Sequence, residues 1–409
     1  MNLTRKRWLV LTASCIANLC IGSLYAWSVF SAPMAEYLNG LNGTAWTASD
    51  LAIVFTMANS VGPVTMISGG KLNEILGTRM VVLAGGVMFG GGMLLSGFAT
   101  DKTLLIIGYG LLTGLGMGAA YGCTISNTVK FFPDRKGLIG GIATASYGLS
   151  SVLIPPVANT LIGTVDVASA FKIIGIAFMA LICTCSLFIE KCPDGFVPDG
   201  WSNTPAAGSS SVPIDKDWRQ ILASPTFYVM ILMMTCGAFS GMMCISQTSN
   251  MAQTLVGMQA AEAAVMVSML ALFNAAGRVG AGYISDRTGR VNTLRIALLC
   301  SLAGLGLLYH AQPKLLFGAG IALVGISFGS FMGVYPGFTM EQFGPKNNGV
   351  NYGIMFIGFA AAGCFGPIAM SAILSSTGRY QPAFLAAAGL TAAGLALSAV
   401  YSMMQKKHI

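Results

Sequence analysis

One residue in this sequence stands out for the chemistry it could do. Arg278 sits in Leu270-Ala271-Leu272-Phe273-Asn274-Ala275-Ala276-Gly277-Arg278-Val279-Gly280, well inside an apolar stretch. No other Arg or Lys falls so deep in such a stretch. A charge at the centre of a bilayer costs about 2.5–3.5 kcal/mol on insertion scales, so it normally lines a pathway and has a partner. No Asp or Glu is expected in the interior of any span to pair with it; Asp50, Glu190 and Glu262 fall only at span ends. An anionic substrate fits that gap, because a guanidinium holds a carboxylate through two parallel hydrogen bonds. The competing reading is an arginine that snorkels to the cytoplasmic surface, about two helical turns away. Asn274 lies one turn earlier on the same face. It either orients the guanidinium or bonds a substrate hydroxyl, or else makes a plain interhelical hydrogen bond.

The elements that must hold these residues are membrane helices. Of 409 residues, 55% are hydrophobic and only 9% are charged, and the mean hydropathy is +0.72. Soluble domains carry about 25% charged residues, so a soluble enzyme is excluded. A bilayer core of about 30 Å needs about 20 apolar residues per helix. Such stretches recur, and they predict an all-α membrane protein of twelve transmembrane helices. The expected spans are 8–32, 49–70, 79–99, 103–130, 136–160, 168–190, 222–250, 261–284, 293–311, 314–338, 348–374 and 380–403. The one long joint, 191–221, holds Pro193, Pro198, Pro205, Pro213 and a Gly-Ser-Ser-Ser run, which is linker chemistry. The expected organisation is an N-terminal six-helix bundle over 1–190, a cytoplasmic linker over 191–221, and a C-terminal six-helix bundle over 222–409.

The net charge of +8 orients the protein and does not point to nucleic acid. Lys and Arg crowd alternate joints, among them Arg5, Lys6, Arg7, Lys71, Arg79, Lys130, Arg135, Lys136, Arg287, Arg290, Lys346, Lys406 and Lys407. The opposite side has Lys102, Lys314, Arg379 and Lys172. By the positive-inside rule both termini and the linker are cytoplasmic. Arg5-Lys6-Arg7 before an apolar run resembles a signal peptide, but the run continues to Ala32, so an uncleaved first helix is expected. Nine of the ten cysteines fall in apolar stretches, Cys192 lies at a loop edge, and no Cys-x-x-Cys pair exists. Neither disulfides nor a metal site are expected, and no cofactor is called for. There are no catalytic residues to propose: no nucleophile, paired acids or metal cluster stands out.

The two halves repeat. Gly70-Lys71-Leu72-Asn73-Glu74-Ile75-Leu76-Gly77 matches Gly282-Tyr283-Ile284-Ser285-Asp286-Arg287-Thr288-Gly289 at an offset of 212. Phe132-Pro133-Asp134-Arg135-Lys136-Gly137 matches Phe343 to Gly349 at an offset of 211 to 212. Two similarly oriented bundles follow, with a substrate site expected at their interface. The twelve spans, the repeat, the long central joint and Gly282-x-Ile284-x-Asp286-Arg287-x-Gly289-Arg290 together resemble the major facilitator superfamily. Two further stretches resemble its monocarboxylate porter and oxalate:formate antiporter family. They are Gly22-Ser23-Leu24-Tyr25-Ala26-Trp27-Ser28-Val29-Phe30, and Phe131-Phe132-Pro133-Asp134-Arg135-Lys136-Gly137-Leu138 with Ala145-Ser146-Tyr147-Gly148-Leu149 beyond it.

The resemblance implies the major facilitator fold and assigns roles. In that family the helix-8 arginine matching Arg278 binds the substrate carboxylate. Asn274 stands where animal monocarboxylate porters resemble an Asp implicated in proton coupling, and an amide cannot titrate. Oxalate:formate antiporters carry a second cation on helix 11; the corresponding residue here is Phe359, which argues for a monocarboxylate. Leu24 and Val29 likewise replace polar or charged groups of relatives. Tyr25, Tyr121 and Tyr147 match tyrosines near the family's substrate. Tyr335 and Phe331 are added because helix 10 is the repeat mate of helix 4. In the superfamily Gly282, Asp286, Arg287 and Gly289 form a cytoplasmic gate motif, whose acid bonds a neighbouring helix. Gly110, Gly114, Gly118 and Gly122 form a smooth stripe, either sliding or static. Asn127 is placed near the cytoplasmic gate. Pro63, Pro155, Pro156, Pro336 and Pro367 are candidate bends.

These readings converge on a secondary active transporter in a bacterial inner membrane. The expected cargo is a small monocarboxylate of the L-lactate or pyruvate type. The expected mode is proton-coupled symport by a monomer; the alternative is carboxylate exchange of the oxalate/formate type. A non-transporting receptor fits less well, since the tail after Met404 is short.

Overall fold

The computed structural model describes residues 3–48, 50–201 and 215–406. The Gly-Ser-Ser-Ser run, Pro205 and Pro213 of the expected linker, and Lys407 and His408, lie outside the described residues. Among the described residues twelve helices are long and apolar enough to cross a membrane. They are α1 Leu3–Asn42, α2 Ala52–Leu76, α3 Thr78–Ser96, α4 Lys102–Lys130, α5 Lys136–Thr164 and α6 Val167–Phe188. The second six are α7 Pro225–Val256, α8 Ala260–Thr288, α9 Arg290–Tyr309, α10 Lys314–Phe343, α11 Asn348–Thr377 and α12 Gln381–Lys406. A short helix, Trp218–Leu222, precedes α7. Among the described residues the secondary structure is all helical.

Several helices outrun their apolar spans. Expected ends at 70, 284 and 338 become Leu76, Thr288 and Phe343. Hydropathy ends where the bilayer core ends, but a helix continues until its backbone is capped. The caps here are Gly77, Gly289 and Gly344, with φ of 80°, 86° and 94°, a conformation glycine adopts without strain. Two expectations change as a result. Residues 285–288, beyond the expected end of the span, form the last turn of α8. Helices also carry acids near their ends, including Glu36, Glu74, Glu262 and Glu341. The first helix is not uniform: Gly22–Ala26 is a 3-10 stretch between two α-helical segments. The prolines at 63, 155, 156, 336 and 367 all lie within helices that continue past them.

The chain forms two compact units. The first holds Met1–Asp134, Ser146–Ile214 and Pro345–Ile354; the second holds Arg135–Ala145, Asp215–Gly344 and Met355–Ile409. In the first, α2 and α3 pack on α4, α3 on α6, and α1 on α4 and α6. In the second, α8 and α9 pack on α10, α9 on α12, and α7 on α10 and α12. Adding six to each helix number turns one pattern into the other, as the sequence repeat requires.

The glycine stripe on α4 faces α2. A Cβ at Gly114 would meet the Ala58 carbonyl, one at Gly118 the Gly62 carbonyl, and one at Gly122 the Met66 side chain. Each four-residue step along α4 thus meets a four-residue step along α2, and small residues permit that approach.

Candidate functional site

Arg278 is only 1% exposed. It does not snorkel. Its backbone is enclosed on two sides by glycines: a Cβ at Gly333 of α10 or at Gly141 of α5 would strike the Arg278 carbonyl. These close approaches bring three helices together around the guanidinium. Nε donates to Asn274 Oδ1 at 2.9 Å. Nη1 donates to the main-chain carbonyl of Thr144 at 2.6 Å. Nη2 is buried and has no hydrogen-bond partner among the described residues. Leaving a buried donor unpaired costs about 1–3 kcal/mol, more when it is charged. A ligand oxygen at Nη2 would remove that cost.

Asn274 is 6% exposed and fixes the guanidinium from one turn away. The far side is aromatic. The guanidinium carbon lies 6.0 Å from the Phe328 ring centre. Phe328 lies 6.2 Å from Phe359, and Phe359 lies 4.5 Å from Phe356. Phe359 therefore belongs to an apolar wall that begins at the arginine. Thr144 and Phe328 had not been singled out from the sequence. A signal for this neighbourhood was present: Gly325, Gly329, Gly333 and Gly337 form a second stripe at four-residue spacing. It meets α8 at Leu270, Asn274 and Arg278.

Tyr25, Tyr121 and Tyr147 form one cluster in the first unit. Tyr147 stands 5.2 Å from Tyr25, edge on, and 4.8 Å from Tyr121. Tyr121 and Tyr147 are buried, while Tyr25, in the 3-10 stretch, is half-buried. Gly22 lets α1 approach the Tyr147 backbone, where a Cβ would strike the carbonyl. Tyr335 and Phe331 are placed differently. Tyr335 donates its hydroxyl to the Met230 carbonyl at 2.7 Å and is fully buried. Phe331 stacks 5.9 Å from Tyr335 and fills the space beside Gly237. Both serve the packing of α10 on α7.

The residues of the expected gate motif lie at the end of α8. Asp286 accepts from the backbone N–H groups of Gly137 and Leu138 at 2.8 and 2.9 Å. These belong to the first turn of α5, where N–H groups lack helical partners and the helix dipole favours an anion. Gly282 makes room: a Cβ there would strike the Gly137 carbonyl. Asp286 also pairs with Arg290 at 2.8 Å. Arg290 in turn grips Glu341 through Nε and Nη2, at 3.0 and 2.5 Å. Arg287 instead lies over the Tyr283 ring at 4.4 Å. The basic member of the cluster is thus Arg290. Asn127 staples the linker's start to α4, donating to the Glu190 carbonyl at 2.8 Å and accepting from the Cys192 N–H at 2.8 Å. Burial pushes the Cys192 thiol up to about 12.

Similar proteins cover most of this chain. An uncharacterized MFS-type transporter of Escherichia coli K12, YhjX, is 30% identical over 88% of this chain and 86% of its own. The oxalate:formate antiporter of Oxalobacter formigenes is 26% identical over 94% and 88%. Monocarboxylate transporter 12 of Rattus norvegicus is 24% identical over 92% and 82%. Among solved structures, the transporter FucP in its outward conformation superposes with a TM-score of 0.72 at 13% identity, covering 97% of this chain and 99% of its own. The model of the Major Facilitator Superfamily matches residues 12–367. With twelve apolar helices, a repeated packing pattern and this match, the chain is an integral membrane transporter of the Major Facilitator Superfamily.

Proposed function

We propose that the protein carries small monocarboxylates, of the L-lactate or pyruvate type, across a bacterial inner membrane by alternating access. It works as a monomer with both termini in the cytoplasm. The observation that carries the reading is the buried, unpaired Nη2 of Arg278. A carboxylate supplies both the charge and the acceptor that this nitrogen lacks. The wall of Phe328, Phe359 and Phe356 suits a short carbon body and offers no second cation for a second carboxylate. Tyr25, Tyr121 and Tyr147 are assigned to the same substrate by their likeness to tyrosines of the monocarboxylate and oxalate:formate carriers.

Proton-coupled symport is the favoured mode, with the proton entering alongside the anion. Exchange is the second reading, and Asn274 favours it. The group that orients the arginine is an amide, which cannot carry a proton. Uptake of labelled L-lactate into proteoliposomes, with and without an inward proton gradient, separates the modes. Gradient-driven uptake that Arg278→Ala abolishes is expected. Uptake that needs internal carboxylate and ignores the gradient means exchange. No lactate uptake by folded wild-type protein sinks the substrate assignment.

A further inference from the structure

The hydrogen bonds of Arg278 leave a carboxylate an unusual choice. A guanidinium has two edges that fit a carboxylate: Nε with Nη2, and Nη1 with Nη2. Asn274 Oδ1 occupies Nε and the Thr144 carbonyl occupies Nη1, while Nη2 is free. Nε has a single N–H and Asn274 takes it, which closes the Nε–Nη2 edge while that bond holds. Nη1 has two, so a carboxylate on the Nη1–Nη2 edge competes with the Thr144 carbonyl for that nitrogen.

The two acceptors are not equally easy to displace. Asn274 Oδ1 lies on a 6% exposed side chain and makes its bond to the arginine within the same helix. Evicted, it becomes a buried acceptor with no partner and carries the full desolvation cost. The Thr144 oxygen belongs to the main chain of α5, where a helical carbonyl already points at the N–H four residues on. Evicted, it keeps a partner. We infer that a carboxylate takes the Nη1–Nη2 edge and displaces Thr144, so that substrate binding itself unties the start of α5 from α8. Asn274 acts as a positioning residue: by holding Nε it steers the carboxylate to the edge that α5 occupies.

This inference rests on Arg278 being the carboxylate anchor and adds how that anchor is coupled to movement. Asp286 and Arg278 of α8 both hold residues 135–145 through hydrogen bonds. Asp286 holds Gly137 and Leu138, and Arg278 holds Thr144. Only the second lies where a substrate competes.

The test is hydrogen–deuterium exchange on the purified full-length protein, with calorimetry to follow binding of L-lactate, pyruvate and acetate separately. In wild type, a bound carboxylate is expected to speed exchange over 135–145 by roughly tenfold, the order set by losing one charge-assisted hydrogen bond. Asn274→Ala opens the Nε–Nη2 edge. The variant is expected to bind the same carboxylate yet show no faster exchange over 135–145, and to transport more slowly. Binding to wild type with unchanged exchange over 135–145 overturns the inference and leaves the anchor standing. Faster exchange over 135–145 that persists in Asn274→Ala overturns the steering role of Asn274. No binding of any of the three carboxylates overturns the anchor and the inference together.

Discussion

Met66 and Arg278 occupy equivalent places 212 residues apart. Met66 meets the α4 glycine stripe at Gly122, and Arg278 meets the α10 stripe at Gly333. The same is true of Gly62 at Gly118 and Asn274 at Gly329. The repeat thus built one scaffold twice, and only the second copy carries the cation. Arg278→Met should make the two copies alike. Methionine removes the buried charge but leaves Asn274 Oδ1 a buried acceptor without its donor, at a cost of about 1–3 kcal/mol. The variant should therefore purify as a folded protein with a modestly lowered melting temperature, and show no carboxylate uptake. Collapse of the fold would mean that the arginine's role is structural.

Asp286 and Arg287 should differ sharply on substitution. Asp286 bonds two N–H groups at the start of α5 and pairs with Arg290, at 19% side-chain exposure. Asp286→Asn should cost about 1–2 kcal/mol from the lost charge at a helix N-terminus. Arg287 lies exposed over Tyr283, so Arg287→Ala should cost less than about 1 kcal/mol. Thermal unfolding of the two variants in detergent decides, and equal losses would remove the distinction.

Opposite effects are expected at two glycines, one in the α4 stripe and one on α3. A Cβ at Gly118 would drive into the Gly62 backbone, which cannot yield without parting α2 from α4. Overpacking of that kind costs about 1–3 kcal/mol. Gly91 on α3 has open space where a Cβ would go, and alanine there gains about 0.5–1 kcal/mol of helix propensity. Gly118→Ala should lower the melting temperature and Gly91→Ala should leave it equal or higher.

Phe359→Lys tests what sets the number of carboxylates. It places a second cation in the aromatic wall next to Phe328. The expected result is weaker L-lactate uptake and new inhibition of that uptake by oxalate. Unchanged selectivity would show that Phe359 does not face the substrate.

Cys192 should be inert until it is uncovered. Burial raises its thiol to about 12, so below that pH the neutral form dominates and little thiolate is available to react. Alkylation between pH 7 and 9 should be slow in the native protein and rise steeply with unfolding. Asn127→Ala removes the staple that holds residues 190 and 192 and should speed alkylation at fixed pH. Rapid native labelling at pH 7 would contradict the burial.

The amino-acid sequence by itself determined the class of this protein and its most unusual residue. A charge in an apolar run is a local signal, so Arg278 and its neighbour Asn274 could be read directly. The spans were legible because the bilayer imposes a length, and the repeat because one offset recurs. Other features depended on folding. A main-chain carbonyl has no side-chain signature, so nothing marked Thr144 as a partner 134 residues away. Tyr335, chosen as a repeat mate, gives its hydroxyl to the Met230 carbonyl, a contact that depends on how α10 meets α7. Arg290, not Arg287, joins Asp286, because α8 runs on to Thr288 and the Gly289 turn sets α9 beside it. Hydropathy shows where a helix leaves the apolar core. Which backbone atoms then face one another is set by three-dimensional packing, and here that packing gave Arg278 two acceptors and left one nitrogen free.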